Sequence, residues 1–135
     1  LSALNGIRFD ETLPLYGWYE DIDFGARVPG TLVRTDAFSG VHCGEKRGRE
    51  TSGKRLGYSQ IANPTYLLRK GTLSFADTVA CISRVFCANH LHLLRPEAWI
   101  DRRARSAGNW AAIADLIRGK IHPQRILDIP AARRR

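Results

Sequence analysis

Three acids, Glu20, Asp21 and Asp23, lie close together directly after the aromatic segment that contains Trp18. Carboxylates that aromatic rings partly screen from water suit proton abstraction or metal-linked chemistry. The same spacing suits a solvated helix start, where acids face unpaired N–H groups and where Asp23 pairs with Arg27 one turn later. On spacing alone the solvated helix start is the commoner arrangement, so both interpretations stay open.

The acids need a helix start to position them, and the flanking residues predict one. Pro14 and Gly17 indicate an irregular turn that leads into a helix over residues 20–28, which Pro29 and Gly30 end. After this helix, strands are predicted over 31–35 and 38–43, followed by a loop over 44–57. A helix over 61–70, interrupted near Pro64, a helical stretch over 73–94 and a short helix over 97–105 come next. The last predicted helix covers 110–118, with Asn109 as its N-cap and Gly119 at C′.

The predicted loop over residues 44–57 is the second candidate site. Its glycines would let the backbone approach an anion closely, and its bases supply donors that match phosphate oxygens. These bases are Lys46, Arg47, Arg49, Lys54 and Arg55. The spacing is not that of a P-loop, which argues against an ATPase. A diphosphate is a natural ligand for such a loop, and a solvated basic loop fits the composition equally well.

Composition places the chain among globular single domains. It has 135 residues, of which 44% are apolar and 25% are charged. No apolar stretch approaches the roughly 20 residues that a bilayer-spanning helix needs. The net charge of +8 is uneven, because residues 1–40 carry six acids against three bases and residues 71–135 carry eleven bases against five acids. Such a surface attracts nucleic acid, anionic lipid or phosphate-bearing molecules, and charge alone does not choose among them.

Three cysteines, Cys43, Cys81 and Cys87, have no C-x-x-C spacing. An odd number without that spacing argues against a disulfide framework and against a cysteine zinc site. Cys81 and Cys87 lie in an apolar helical stretch and are predicted to be core residues. The chain has no methionine and begins at Leu1, so we expect it to be a piece of a longer polypeptide.

Several motifs, in a fixed order, carry a family resemblance. Phe9-Asp10-Glu11 leads into the aromatic segment and the acids; the motifs that follow are Gly40-Val41-His42, the basic loop, Gly57 to Pro64, Asp101 to Arg105, Gly108-Asn109 and Gly119 to Pro123. This order resembles the C-terminal part of a bacterial family 2 glycosyltransferase of the GT-A fold, from a subgroup that assembles cell-surface polysaccharide. The resemblance implies an α/β fold: residues 1–72 would be the C-terminal portion of a Rossmann-like GT-A domain with few short strands, and residues 73–135 a mainly helical extension.

The resemblance implies an inverting sugar transfer from a nucleotide-diphosphate sugar to a hydroxyl of a glycan or lipid-linked acceptor. Asp21 would be the general base, and Glu20 and Asp23 would orient it or hold the helix. Substrate-binding positions would be Trp18 and Tyr58, together with Arg47, Arg49 and Arg55 on the leaving diphosphate. His42 would ligate a divalent metal, Mn2+ or Mg2+. A lone histidine is otherwise more often structural.

The triplet Asp21-Ile22-Asp23 is not the metal-binding DxD of this family, because it follows aromatic residues and opens a helix. The DxD and the N-terminal nucleotide-binding half are absent from the 135 residues. We therefore expect no sugar transfer by residues 1–135 alone, and we expect the missing half or an oligomer to complete the site. The implied location is cytoplasmic, with peripheral contact at the inner face of the membrane.

Two other classes remain open. A nucleic-acid-binding module would use the basic loop with Trp99 and Trp110, although the acids of residues 1–40 oppose a polyanion, so we expect no nucleic-acid partner. A helical interaction module would instead bury the apolar face of Leu73 to Leu94 against a partner or a lipid interface. Salt-dependent binding of arbitrary RNA or DNA, with none of nucleotide diphosphates, would favour the first of these.

Overall fold

The computed structural model describes residues 4, 6–15, 18–31, 33, 35–37, 39–41 and 53–130. In this part the chain forms the α-helices α1 (Glu20–Arg27), α2 (Gly53–Lys70), α3 (Phe75–Leu91) and α4 (Arg102–Ile117), and a 3₁₀ helix (Pro123–Leu127). The helices predicted over 20–28 and within 73–94 are confirmed. None of the helices in these residues is long and apolar enough to cross a membrane.

The prediction of an α/β, Rossmann-like fold is wrong, because the described residues contain helices and no strand. Thr31, Val33 and Thr35 show the alternation of a strand, but all three are exposed. A strand needs a hydrogen-bonded neighbour and one buried face, and local alternation supplies neither. The described part of the predicted second strand, residues 39–41, is likewise not a strand, and residues 38, 42 and 43 lie outside the described residues.

Helix α2 is the centre of the fold, and twelve of its eighteen residues are buried. It begins at Gly53, so the last five residues of the predicted loop are helical, whereas residues 44–52 lie outside the described part. Pro64 lies inside α2 without ending it, contrary to the predicted interruption. Loss of one helical hydrogen bond at a proline costs about 3 kcal/mol. Burial of most of the helix offsets that cost.

Helices α2 and α4 cross through glycine. A Cβ at Gly57 would lie 2.1 Å from the carbonyl oxygen of Arg105, and a Cβ at Gly108 would lie 2.1 Å from that of Lys54. Only glycine fits at either position, because real Cβ atoms do not approach so closely. From the sequence, Gly57 was predicted to belong to a loop that approaches an anion. In the structure, Gly57 instead allows α4 to approach α2 closely.

Buried amides fix the same crossing. Asn109 Nδ2 donates to the Gly57 carbonyl at 2.6 Å, and Asn89 Nδ2 donates to Gln60 Oε1 and to Asn109 Oδ1, both at 2.8 Å. Asn109 is therefore not the predicted N-cap. That role belongs to Asp101, whose side chain accepts from the N–H of Ala104, so one helix replaces the two predicted over 97–118.

The hydrophobic core lies between α2, α4 and the 3₁₀ helix. Its buried members are Tyr58, Ile61, Ala62, Ala112, Ile121 and Ile126. Helix α3 contributes partly buried side chains to it, but Cys81 is only half-buried and Cys87 is exposed. The prediction that both cysteines are core residues is therefore wrong. Gly119 has the positive φ of 68° expected after a helix C-cap, as predicted.

Candidate active site at the start of helix α1

The helix start that carries the acids is held in an unusual backbone conformation. Tyr19, the N-cap of α1, has a left-handed φ of 72°, and its side chain does not cap the helix. Such a conformation costs a non-glycine residue about 1–3 kcal/mol. Burial, followed by a hydrogen bond with the Cys81 thiol of α3, raises the pKa of Tyr19 to about 12. The ring of Trp18 packs edge-on against it, with centroids 5.6 Å apart.

The backbone before the acids is also attached to α2. Asn63 is fully buried, and its Nδ2 donates to the carbonyl oxygen of Trp18 at 2.9 Å. The peptide that leads into Glu20 and Asp21 is therefore fixed on the central helix.

Asp23 is completely buried and surrounded by cations and a hydroxyl. Its Oδ2 accepts from Arg27 Nε at 2.9 Å and from Lys70 Nζ at 2.9 Å. Its Oδ1 lies 2.8 Å from Lys70 Nζ and accepts from Thr72 Oγ1 at 2.9 Å. A buried carboxylate is tolerated only when it is neutralised and hydrogen-bonded in this way. Asp23 thus joins α1 to the end of α2 and has no lone pair to spare for chemistry.

Lys70 connects this carboxylate to a second one, Asp10. Lys70 Nζ lies 2.6 Å from Asp10 Oδ2, which also accepts from the Tyr66 hydroxyl at 2.8 Å. Burial acts to raise the pKa of Asp10, but hydrogen bonds from Lys70, Thr12 and Tyr66 outweigh it and hold that pKa well below its usual range. Burial acts to lower the pKa of Lys70, and the two carboxylates reverse this and raise it.

The N-terminal segment is attached to α1 by two further contacts. The rings of Phe9 and Phe24 stack with centroids 4.6 Å apart. Arg27 donates from its second terminal nitrogen to the carbonyl oxygen of Arg8 at 2.7 Å. The residues before α1, α1 itself and the end of α2 therefore form one connected unit.

Glu20 and Asp21 differ from Asp23 in every respect. Both are exposed, and neither side chain makes a hydrogen bond or an ion pair within the described residues. Side chains two residues apart on a helix point to nearly opposite sides, about 160° apart around its axis. Because Asp23 faces the end of α2, Asp21 faces outward, where a substrate has access to it.

The other predicted substrate-binding residues have contacts elsewhere. Tyr58 is buried, and its hydroxyl donates to Asp115 Oδ2 at 2.9 Å. Arg55 Nε donates to the carbonyl oxygen of Ile129 at 2.7 Å. These hydrogen bonds hold α4 and the C-terminal segment against α2 and do not involve α1. His42, Arg47 and Arg49 lie outside the described residues.

The metal ligand that the resemblance implies, His42, lies outside the described residues, so the divalent metal stays a prediction. Within the described part of the chain no three His, Cys, Asp or Glu side chains come together as a metal site. Asp10 and Asp23, the two acids that share a partner, are already bridged by the Lys70 ammonium group. No chemical step is therefore assigned to a metal at these residues.

Sequence reasoning missed Asp10, Tyr66, Lys70 and Thr72 as parts of this unit. Asp10 stood within one of the quoted motifs, but its contacts with Tyr66 and Lys70 span 56 and 60 residues. No local periodicity reports such a separation.

Comparison of the chain with family models, with curated proteins and with solved structures found no match.

Proposed function

We propose that this chain supplies the acceptor side of an inverting glycosyl transfer site, with Asp21 as the general base. The observation that carries the proposal is the difference in burial and in contacts among the three acids. Asp23 is buried and neutralised, and it fixes α1; Asp21 is exposed on the opposite side of the same helix turn. A general base needs both a fixed position and a free lone pair, and this arrangement provides them.

The reaction would begin with an acceptor hydroxyl within hydrogen-bond distance of an Asp21 carboxylate oxygen. As the hydroxyl oxygen forms its bond to the anomeric carbon, the carboxylate takes the proton. The bond from that carbon to the donor diphosphate breaks, and the diphosphate leaves with the electron pair. Attack opposite the leaving group inverts the anomeric configuration. The nucleotide of the donor would be bound by residues other than those of α1 to α4.

Asp23 and Lys70 are positioning residues in this scheme. Each side chain is engaged by other protein groups, and Asp23 is fully buried. Their effect on the reaction would be indirect, through the orientation of the first turn of α1. Misplacement of a catalytic group by about 1 Å can cost about a hundredfold in rate.

The test is made with the full-length natural protein, with a panel of nucleotide-diphosphate sugars and release of the nucleoside diphosphate as the readout. Asp21→Asn is expected to lower kcat by about 10²–10⁴-fold, the usual contribution of a general base. The donor KM and the melting temperature should not change. Asp36→Asn, which alters an exposed acid outside α1, is the matched control.

Two results would reject the proposal. One is full activity of the Asp21→Asn variant. The other is failure of the full-length natural protein to turn over any nucleotide sugar. A fall in both kcat and melting temperature for Asp23→Asn would agree with its positioning role, because that variant leaves Lys70 and Arg27 facing a neutral side chain.

A further inference from the structure

Helix α4 has an apolar side that the described residues cover only in part, through two rings of α3. Its opposite face, which includes Gly108 and Ala112, packs against α2. The partly covered side carries Ala107, Trp110, Ala114 and Ile117, spaced three or four residues apart and therefore aligned along one face. We call these four residues the α4 stripe. Trp110 is 56% exposed and Ile117 is 81% exposed.

The tryptophan of the α4 stripe, Trp110, is held in place by aromatic side chains of α3. Its ring packs edge-on against Phe86 at 5.3 Å and against His90 at 5.9 Å, both from α3. Phe86 and His90 in turn stack on each other at 4.0 Å. The rings of Phe86 and His90 therefore support the Trp110 ring, which faces outward. Because they already restrict it, the Trp110 side chain loses little conformational freedom when it contacts a partner.

Bases flank the α4 stripe at both ends, and the charge of one of them, Arg118, also helps to lower the pKa of Asp115. Arg103 lies one turn before Ala107, and Arg118 directly follows Ile117; both are exposed, and neither has an ion pair within the described residues. Further bases in this condition are Arg84, Arg95 and Lys120.

The acids of the same region are largely engaged within the protein. Glu97 pairs with Arg102, and Asp115 pairs with Arg125. Asp77 and Asp101 make hydrogen bonds at the starts of α3 and α4. Over residues 73–130 eight bases stand against five acids, so the helical region carries a net positive charge, which calls for an anionic partner.

We propose that the α4 stripe docks on an anionic membrane surface, with Trp110 and Ile117 at the boundary between headgroups and acyl chains. Arg103 and Arg118 would contact the lipid phosphates. A helix with Trp and aliphatic residues on one side and bases at its margins is the pattern of an interfacial helix. A protein partner would also have to be apolar and acidic at once, whereas an anionic bilayer offers both properties over any area. This proposal does not depend on the proposed sugar transfer.

The experiment measures partition of the 135-residue chain onto vesicles of phosphatidylcholine alone and of phosphatidylcholine with 30% phosphatidylglycerol, a composition that sets the anionic charge. We expect binding only to the anionic vesicles, with loss in 0.5 M NaCl. Ile117→Glu should lower the partition coefficient by at least about tenfold. Val33→Glu is the matched control, because Val33 is 78% exposed and lies outside the helical region.

The electrostatic part has its own pair of variants. Arg103→Glu with Arg118→Glu should lower partition by at least about thirtyfold. Arg8→Glu with Lys54→Glu makes the same change in net charge at exposed positions away from the stripe and should lower it much less. Circular dichroism checks that every variant remains helical.

Three outcomes would overturn the proposal. The first is equal binding to neutral and anionic vesicles, and the second is equal loss for the stripe variants and their controls. The third is no vesicle binding together with self-association that Ile117→Glu abolishes, which would make a second copy of this chain the occupant of the stripe.

Discussion

Replacement of Lys70 by methionine would remove the group that joins Asp10 to Asp23. The ammonium group lies 2.6 Å from one carboxylate and 2.8 Å from the other, so both lose a charged partner at once. Methionine keeps an unbranched apolar side chain that still covers the neighbouring surface. The variant therefore isolates the electrostatic connection between the N-terminal segment, α1 and α2.

The expected loss of stability follows from what remains around the two acids. Removal of one partner of a fully buried ion pair costs about 3–5 kcal/mol. Lys70 is one-quarter exposed, and Asp23 keeps Arg27 and Thr72. We therefore expect the free energy of unfolding to fall by about 2 kcal/mol. For a chain of this size that corresponds to a melting temperature lower by about 6–8 °C.

The assay is urea denaturation followed by circular dichroism, with Lys54→Met as the control. Lys54 lies on the same helix, is exposed, and has no ion pair among the described residues, so its replacement should change stability by less than about 0.5 kcal/mol. Hydrogen exchange of the α1 amides should also become faster in Lys70→Met alone. That would place the loss at the start of α1.

The pH dependence gives a second readout with a definite sign. The folded pKa of Asp10 lies below its unfolded value of about 3.9, so the unfolded state binds more protons between the two values. The contribution of Asp10 is complete above pH 4 and is lost as pH falls further. Without Lys70 the folded pKa of Asp10 rises, and the acid loss should become shallower.

Equal unfolding free energies for Lys70→Met and Lys54→Met would refute this reasoning. So would an acid loss in Lys70→Met as steep as in the unmodified chain. Either result would mean that α1 is held by its apolar contacts and by Arg27, with no measurable part for the Lys70 connection.

Two further predictions concern the helical core. Gly108→Ala should cost about 3 kcal/mol, because the new Cβ meets the Lys54 carbonyl at 2.1 Å; Gly40→Ala, where no atom lies within 4 Å, should be nearly neutral in the same urea titration. Tyr58→Phe should cost about 1 kcal/mol at neutral pH by loss of its hydrogen bond to Asp115. Burial and Asp115 raise the pKa of Tyr58 to about 12, so the contribution of Tyr58 is complete below pH 10 and is lost as pH rises through 12. A comparison of melting curves at pH 8 and pH 11.5 should show a smaller alkaline loss in the phenylalanine variant; an equal loss would contradict the assignment.

Helix starts and ends that depend on neighbouring residues were predicted well. The acids, Pro29 and Gly30 bounded α1 nearly correctly, and Gly119 was placed after its helix. The failures occurred where packing overrides local preference. Asn109 looked like an N-cap because it precedes an apolar run, yet it is buried mid-helix with its amide on the Gly57 carbonyl.

The candidate site divides in the same way. The sequence by itself determined that three acids share a helix start and that α-helical periodicity dominates after residue 73, because both properties depend on neighbours along the chain. Only the tertiary structure decided which acid is buried. Asp23 is neutralised by Lys70, 47 residues away, and this contact turns Asp21 outward. Spacing along one helix relates side chains to one another, but only the position of a second helix shows which of them faces the protein and which faces a substrate.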